Sequence, residues 1–301
     1  LFRSMIVSQI SFMGGQYLLV FADPATTTLF MVGAILYCLA VIPTALSKAR
    51  SPAPLTQVKI DLKGLFVNSP AAFVGMLIAG ILASAIQNFG PVFGAANGFS
   101  TANIANMMAL IMVGAILFQF PLGKLSDRMD RRYVLVVLAL IGALAGFLIS
   151  KYQVTDPTPT FTFFGLMVLL GGFIFPVYGL VNAHANDHAE PEDFIKISSS
   201  LLILYGVGNM IGPLITGAAM EWLGNNALFL TIGFAHLILA AHMTYRIIRR
   251  ERPSEDQIMD YQNMPMSMMT QSTETYTLDP RSDYETYLAD DDDEEGGAVD
   301  R

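Results

Sequence analysis

Eight apolar stretches, each close to the ~20 residues a helix needs to cross a bilayer, occupy residues 4 to 246 of this chain. They run Ser4–Phe21, Leu29–Leu46, Pro70–Phe89, Asn103–Phe120, Tyr133–Ser150, Phe161–Asn182, Ser198–Trp222 and Ala227–Arg246. Hydrocarbon offers no water to satisfy backbone N–H and C=O groups, so each stretch must close its hydrogen bonds internally, as a helix does. Runs such as Val134–Ile149 lack the alternation of barrel strands, which leaves an all-α polytopic membrane protein. A chain with 53% hydrophobic and 14% charged residues agrees.

The basic residues test the span count. Lys and Arg collect at the cytoplasmic ends of membrane helices, whereas Asp and Glu count for little. Numbering the connections alternately puts 16 of the 17 Lys and Arg on one side, and leaves only Lys151 on the other. The expected orientation therefore starts the first helix in the cytoplasm and ends the chain there. Residues 251–301 hold 15 of the 25 acids and are net −12, so residues 1–250 are net +4 and the pI of 4.9 describes the tail. That tail, with Asp290–Asp293 followed by Glu294 and Glu295, has no apolar period and is expected to be disordered. A docking role for Tyr276, Tyr284 or Tyr287 is the alternative to plain solvation.

Cys38 is the single cysteine, so an intramolecular disulfide and a Cys-based zinc site are excluded, and packing is its expected role. No cofactor is implied: there is no phosphate-cradling glycine loop, and no basic surface suggests nucleic acid. No set of catalytic side chains sits at one depth, so an enzyme is not expected. The chain starts at Leu1, at the edge of a helix, which suggests an N-terminal truncation.

The organisation is two spans (1–46), a polar connection (47–69) with Pro52 and Pro54, six spans (70–246) and the acidic tail (247–301). Small residues permit close helix approach in lipid, and Gly142-x-x-x-Gly146 and Gly208-x-x-x-Gly212 supply them. Pro213 permits a bend in mid-membrane.

The connection after the fourth span reads Gly123-Lys-Leu-Ser-Asp127-Arg128-Met-Asp130-Arg131-Arg132. It resembles the Gly-x-x-x-Asp-Arg-x-Gly-x/Arg-Arg signature of the major facilitator superfamily. Asp130 stands where that family has its second Gly. The chain is also similar to the YcaD-like branch of bacterial permeases, through Gly15-Gln16-x-Leu-Leu-x-x-Ala22-Asp23-Pro24 and Tyr178…Ala183-His184-Ala185-Asn186-Asp187.

The resemblance implies helices 5 to 12 of a twelve-helix transporter in a bacterial inner membrane, with substrate between two six-helix bundles. Residues 1–46 would then be the last two helices of the N-terminal bundle, 70–246 the C-terminal six-helix bundle, and 47–69 the cytoplasmic linker between them. It further implies secondary-active transport of a small organic solute by alternating access. A non-transporting scaffold or sensor that docks through the acidic tail is the other reading.

Candidate gating residues are Gly123, Asp127, Arg128, Arg131 and Arg132. Asp127 and Arg131, four apart, pair if one helix includes both. In the family, the matching Asp lies against a helix N-terminus of the other bundle, here expected near Arg3 and Ser4. A plain topology-fixing charge cluster is the bland alternative.

Gln87 and Asn88 on the third span and Tyr178 and Asn182 on the sixth are candidate cavity residues, with interhelical bonding as their bland reading. Tyr205 and Asn209 rank lower. His184, Asn186 and Asp187 form a candidate loop gate; His184 and His188 have the i/i+4 spacing of metal ligands but lack the Glu of a His-Glu-x-x-His site, so no metal is expected. No Asp, Glu, Lys or Arg lies deep in a span. A coupling proton would need His236 or His242, which are expected to be neutral and bonded to neighbours, or a carboxylate in helices not in this chain.

Overall fold

The computed structural model describes residues 10–23, 26–46, 60–152, 158–187 and 194–249. Among the described residues the helices are α1 (Ile10–Phe21), α2 (Thr28–Leu46), α3 (Leu62–Asn68), α4 (Pro70–Ala96), α5 (Thr101–Arg128), α6 (Arg131–Ser150), α7 (Phe161–Ile174), α8 (Pro176–Asn186), α9 (Phe194–Leu223) and α10 (Ala227–Arg249). Among the described residues six spans are long and apolar enough to cross a membrane: α4, α5, α6, α7 with α8, α9 and α10. The first two expected spans correspond to the shorter apolar helices α1 and α2. Residues 247–249, expected in the acidic tail, continue α10, while the tail beyond Arg249, Arg3, Ser4 and His188 lie outside the described residues.

Helix starts follow local chemistry. Ser69, Ser100, Asp130 and Thr160 each accept a backbone N–H of the first turn of α4, α5, α6 and α7, satisfying one of the donors a helix end leaves orphaned. Pro70 and Pro176 sit at first helical positions, where their missing N–H costs nothing. The sixth expected span is in fact two helices. Pro176 cannot donate to the turn behind it, so α7 stops at Ile174 and α8 restarts after Phe175. By contrast α9 runs as one helix through Pro213.

The end of α4 shows how a turn sets a core. Gly98 has φ 75°, the Gly98 N–H donates to Ala95 O at 3.0 Å and the Phe99 N–H to Gly94 O at 2.9 Å. This αL stop brings Phe99 against Phe93, with ring centroids 6.2 Å apart. Phe93 also meets Phe163 and Phe229, and Phe163 meets Tyr152 at 5.5 Å. One aromatic cluster thus joins α4, α7, α10 and the segment after α6 at the end of the bundle opposite Arg131 and Arg132. Asn226 closes the same end by donating to the carbonyls of Ser150 and Tyr152, both at 3.2 Å.

Lipid tails are as apolar as leucine, so helices gain contact only by close approach. α4 and α9 meet backbone to backbone through Gly80 and Gly208, and α6 and α10 through Gly146 and Gly233. α5 and α7 meet through Gly114 and Gly171, each facing a carbonyl of the other helix. Large side chains such as Val137, Leu140, Ile141 and Leu144 on α6 face outward, as a lipid-facing surface requires. Cys38, expected to pack, is exposed on α2.

An added methyl at Gly171 would meet the Ile111 carbonyl, whereas one at Gly165 on the same helix meets nothing within 4 Å. Gly171→Ala should lower stability by about 1–3 kcal/mol through overpacking. Gly165→Ala should be neutral or raise it by up to ~1 kcal/mol through helix propensity. Thermal unfolding of the two variants in detergent micelles checks the opposite signs.

Candidate functional site

The sequence motif does not sit in a loop. α5 continues past Phe120 and Pro121 as far as Arg128, so Gly123 and Asp127 lie in its last turns, and only Met129 and Asp130 separate it from α6. Asp127 and Arg131 are therefore on different helices, and the tight turn, not helical periodicity, brings Arg131 Nη1 within 3.1 Å of Asp127 Oδ1. Asp130, at the family's glycine position, has φ −57° and ψ 120°. No left-handed residue is needed there, and the carboxylate instead caps α6 by accepting the Arg132 N–H at 2.9 Å.

Arg131 is 2% exposed. Its Nε donates to Asp187 Oδ2 at 2.8 Å, and its Nη1 donates to Ser126 Oγ at 2.9 Å. Ser126 in turn donates to the Gly123 carbonyl at 2.7 Å. One guanidinium thus ties the end of α5, the start of α6 and the end of α8. The two groups that the sequence offered separately, the gating motif and the His184–Asp187 cluster, form one buried site.

Beside it, Arg132 makes a two-pronged contact with Asp130, the shortest arm being Nη2 to Oδ2 at 2.6 Å, and its Nη1 donates to the Arg246 carbonyl near the end of α10 at 3.3 Å. His184 and Asp187 are buried, while Asn186 carries a buried Oδ1 without a hydrogen-bond partner. Arg128 points outward. The sequence missed Ser126 and the link from Asp187 to Arg131. No local spacing marks a pair 56 residues apart.

Burial by itself would raise the Asp130 carboxyl, but hydrogen bonds and charge from Arg132, with a contribution from His184, hold it below its ordinary 3.8. The pair is placed where its desolvation cost is offset by geometry: a fork-to-carboxylate contact capped on both sides.

The cavity candidates fall at two levels. Gly75 of α4 packs on Val181 of α8, so Asn182 and Tyr178 lie near the basic end. Gln87 and Asn88 are more than three turns beyond Gly75 on α4, about 18–20 Å at 1.5 Å per residue. Tyr178 meets Tyr205 of α9 edge to face at 5.2 Å, and Asn209 donates to the Tyr205 carbonyl at 3.1 Å. Asn88 is exposed and donates to the Ser84 carbonyl at 2.8 Å; Gln87 and Asn182 are half-buried. The deep histidines bond to neighbouring backbone: His236 lies 2.9 Å from Ile232 O and 3.1 Å from Phe173 O, and His242 3.3 Å from Pro70 O. No group of three or more metal-ligating side chains occurs among the described residues.

The family profile described as the Major Facilitator Superfamily matches residues 70–261. This chain belongs to the major facilitator superfamily. It is 27% identical over 168 residues to the uncharacterized MFS-type transporter YcaD of Escherichia coli O17:K52:H18 (strain UMN026 / ExPEC). It is 26% identical over 171 residues to an uncharacterized MFS-type transporter of Yersinia pestis (strain Pestoides F). Each alignment takes in 55% of this chain and 42% of the relative, so the match spans less than half the length of those proteins. No solved structure matches the chain. Membership in this superfamily, together with six membrane-length helices, makes it an integral membrane protein of a transporter family.

Arg131→Met takes from the buried Asp187 carboxylate the guanidinium that neutralises it, and should cost about 3–5 kcal/mol. Arg131→Met/Asp187→Leu removes both charges and should recover most of that loss, which unfolding in detergent would show. For Asp130 the sign is that of a lowered carboxyl. Its contribution is complete above the unfolded value near 3.8 and is lost as pH falls through the lower folded value. The acid limb of a Tm–pH profile should therefore flatten in Asp130→Asn.

Proposed function

We propose that the protein is a secondary-active permease that moves a small organic solute by alternating access, and that the described spans are part of a larger two-bundle transporter. The observation that carries the reading is the buried Arg131 network, which joins three helix ends at the basic pole. Merely fixing topology would need positive charge, but not a guanidinium stripped of water and shared among Asp127, Asp187 and Ser126.

In this reading the basic pole is cytoplasmic, the membrane is a bacterial inner membrane, and residues 70–246 move as one body. The aromatic cluster holds that body at one end and the ion pairs hold it at the other. Asp127, paired to Arg131, still keeps about a quarter of its side chain open (27% exposed), the side from which the first span of the other bundle would approach it. The expected partners there, Arg3 and Ser4, lie outside the described residues. Closing that contact holds the cytoplasmic mouth shut, and opening it admits or releases solute.

Tyr178, Asn182, Gln87 and Asn88 supply hydroxyl and amide groups along one wall of the passage. With Tyr178 paired to Tyr205, the lower level combines an aromatic edge with hydrogen-bonding groups, a combination suited to orienting a small polar solute. A coupling proton has no carboxylate to ride on among the described mid-span residues, so coupling, if present, belongs to the other bundle.

The test uses inside-out vesicles of a Cys38→Ser background with Asn182→Cys as reporter. Asp127→Asn should raise the rate of labelling by a membrane-impermeant maleimide several-fold, because the mouth stays open longer. In proteoliposomes the same substitution should depress solute exchange. An unchanged labelling rate would remove the latch, and loss of exchange with no change in labelling would move Asp127 to another role.

A further inference from the structure

Helix α3, the segment that leads into the six-span bundle, is patterned the wrong way round for a helix in water. At 3.6 residues per turn, Leu62, Phe66, Lys63 and Val67 share one arc, and Leu65, Asn68 and Gly64 share the other. The second arc faces the protein: Leu65 is 2% exposed, and Gly64 and Asn68 are half-buried. The first bares Leu62 at 37%, Phe66 at 51% and Val67 at 72%, with Lys63 exposed among them. Ile60, just upstream, is 57% exposed.

The helix is not free to roll this face inward. Asp61 caps it by accepting the Gly64 N–H at 2.7 Å, and the Asp61 N–H donates at 3.1 Å to Ser200 Oγ, a fully buried hydroxyl of α9. Ser200 is itself held by donating to the Lys196 carbonyl at 2.7 Å. At the other end the Ser69 N–H donates to the Leu65 carbonyl at 2.8 Å, and the Ser69 hydroxyl caps α4. Three apolar side chains and a cation are thereby fixed outward.

We infer that α3 is an interfacial helix that lies in the lipid headgroup layer at the basic pole, with Phe66 and Val67 among the upper acyl chains and the Lys63 ammonium on lipid phosphate. The exposed arc continues the membrane-facing surface: Phe66 meets Phe73 in the first turn of α4, with ring centroids 5.3 Å apart at 84°. α10, whose His242 lies against Pro70 of that same turn, bares Tyr245 and Ile248 in its last turns. An apolar arc with a long cationic side chain in its middle matches a bilayer interface, where the stem lies along lipid and the charge reaches the phosphates. A second protein chain is the poorer fit, because a helix of seven residues is about 10 Å long and falls far short of the ~800 Å² a stable partner surface needs. α3 would then fasten the connection to the bilayer and, through Asp61 and Ser200, to α9.

The test takes the full chain with Cys38→Ser, a nitroxide at Val67→Cys, and bilayers of phosphatidylethanolamine and phosphatidylglycerol. Power-saturation spectroscopy compares collisions with oxygen, which concentrates in lipid, and with a water-soluble nickel chelate. Val137→Cys on the outward face of α6 gives the acyl-chain reference, and Lys151→Cys the aqueous one. The oxygen-to-nickel ratio at Val67 should be several-fold above that at Lys151, and Lys63→Glu should bring it down toward the aqueous value. A ratio equal to that at Lys151 overturns the inference. So does shielding from both reagents, which with spin–spin broadening means a second copy covers the helix, and without it means another segment of the chain does. No fall in Lys63→Glu overturns the phosphate contact. Should the Val67 variant not assemble, a label at Ile60→Cys reads the same layer. None of these outcomes depends on a solute being carried.

Discussion

In hydrocarbon a backbone amide has only its own chain to bond to, and everything in this structure follows from that constraint. It forces each apolar stretch into a helix and removes the hydrophobic drive that would press helices together in water. What remains is contact, and contact requires small residues. The three closest helix pairs, α4 with α9, α5 with α7 and α6 with α10, each meet through glycines on both sides. Bulky Leu, Ile and Val on the outer arcs face lipid, where they gain nothing from burial and lose nothing by exposure.

Glycine seams hold helices close but leave them poorly fixed along their axes, and the two poles of the bundle supply that fixation by opposite chemistry. At one pole, Phe93, Phe99, Phe163, Phe229 and Tyr152 interlock. At the other, Arg131 and Arg132 bind three helix ends and the α10 carbonyl of Arg246. The aromatic pole resists separation by contact area. The ionic pole is different in kind, because a buried guanidinium and its carboxylates are held by charge and directed hydrogen bonds.

Much of the fold was legible from local pattern. The six membrane-length spans and the charge asymmetry are properties of neighbouring residues. The Gly142–Gly146 and Gly208–Gly212 pairs announced close approach correctly. Other features escaped because local pattern underdetermines them. Pro176 breaks its span while Pro213 does not interrupt α9, although both are prolines in apolar runs. Gly114 and Gly171 carry no GxxxG spacing, yet make the tightest seam. Cys38 looked like a packing residue and is exposed.

The candidate site divides along the same line. The residues of the motif and of the His184–Asp187 cluster could be named from the sequence because charge and amide groups stand out against apolar surroundings, and a bilayer leaves them few places to be. That alone established a helical membrane protein with one basic pole, a motif at that pole and polar side chains at particular depths. Only the tertiary structure decided that Arg131 reaches Asp187 rather than Asp127 alone, that Asp130 can replace a glycine by capping α6, and that Tyr178 belongs with Tyr205 while Gln87 and Asn88 lie several turns farther along α4. The reason is physical: helical periodicity orders side chains along one rod, whereas contacts between rods depend on where each begins, breaks and crosses the next.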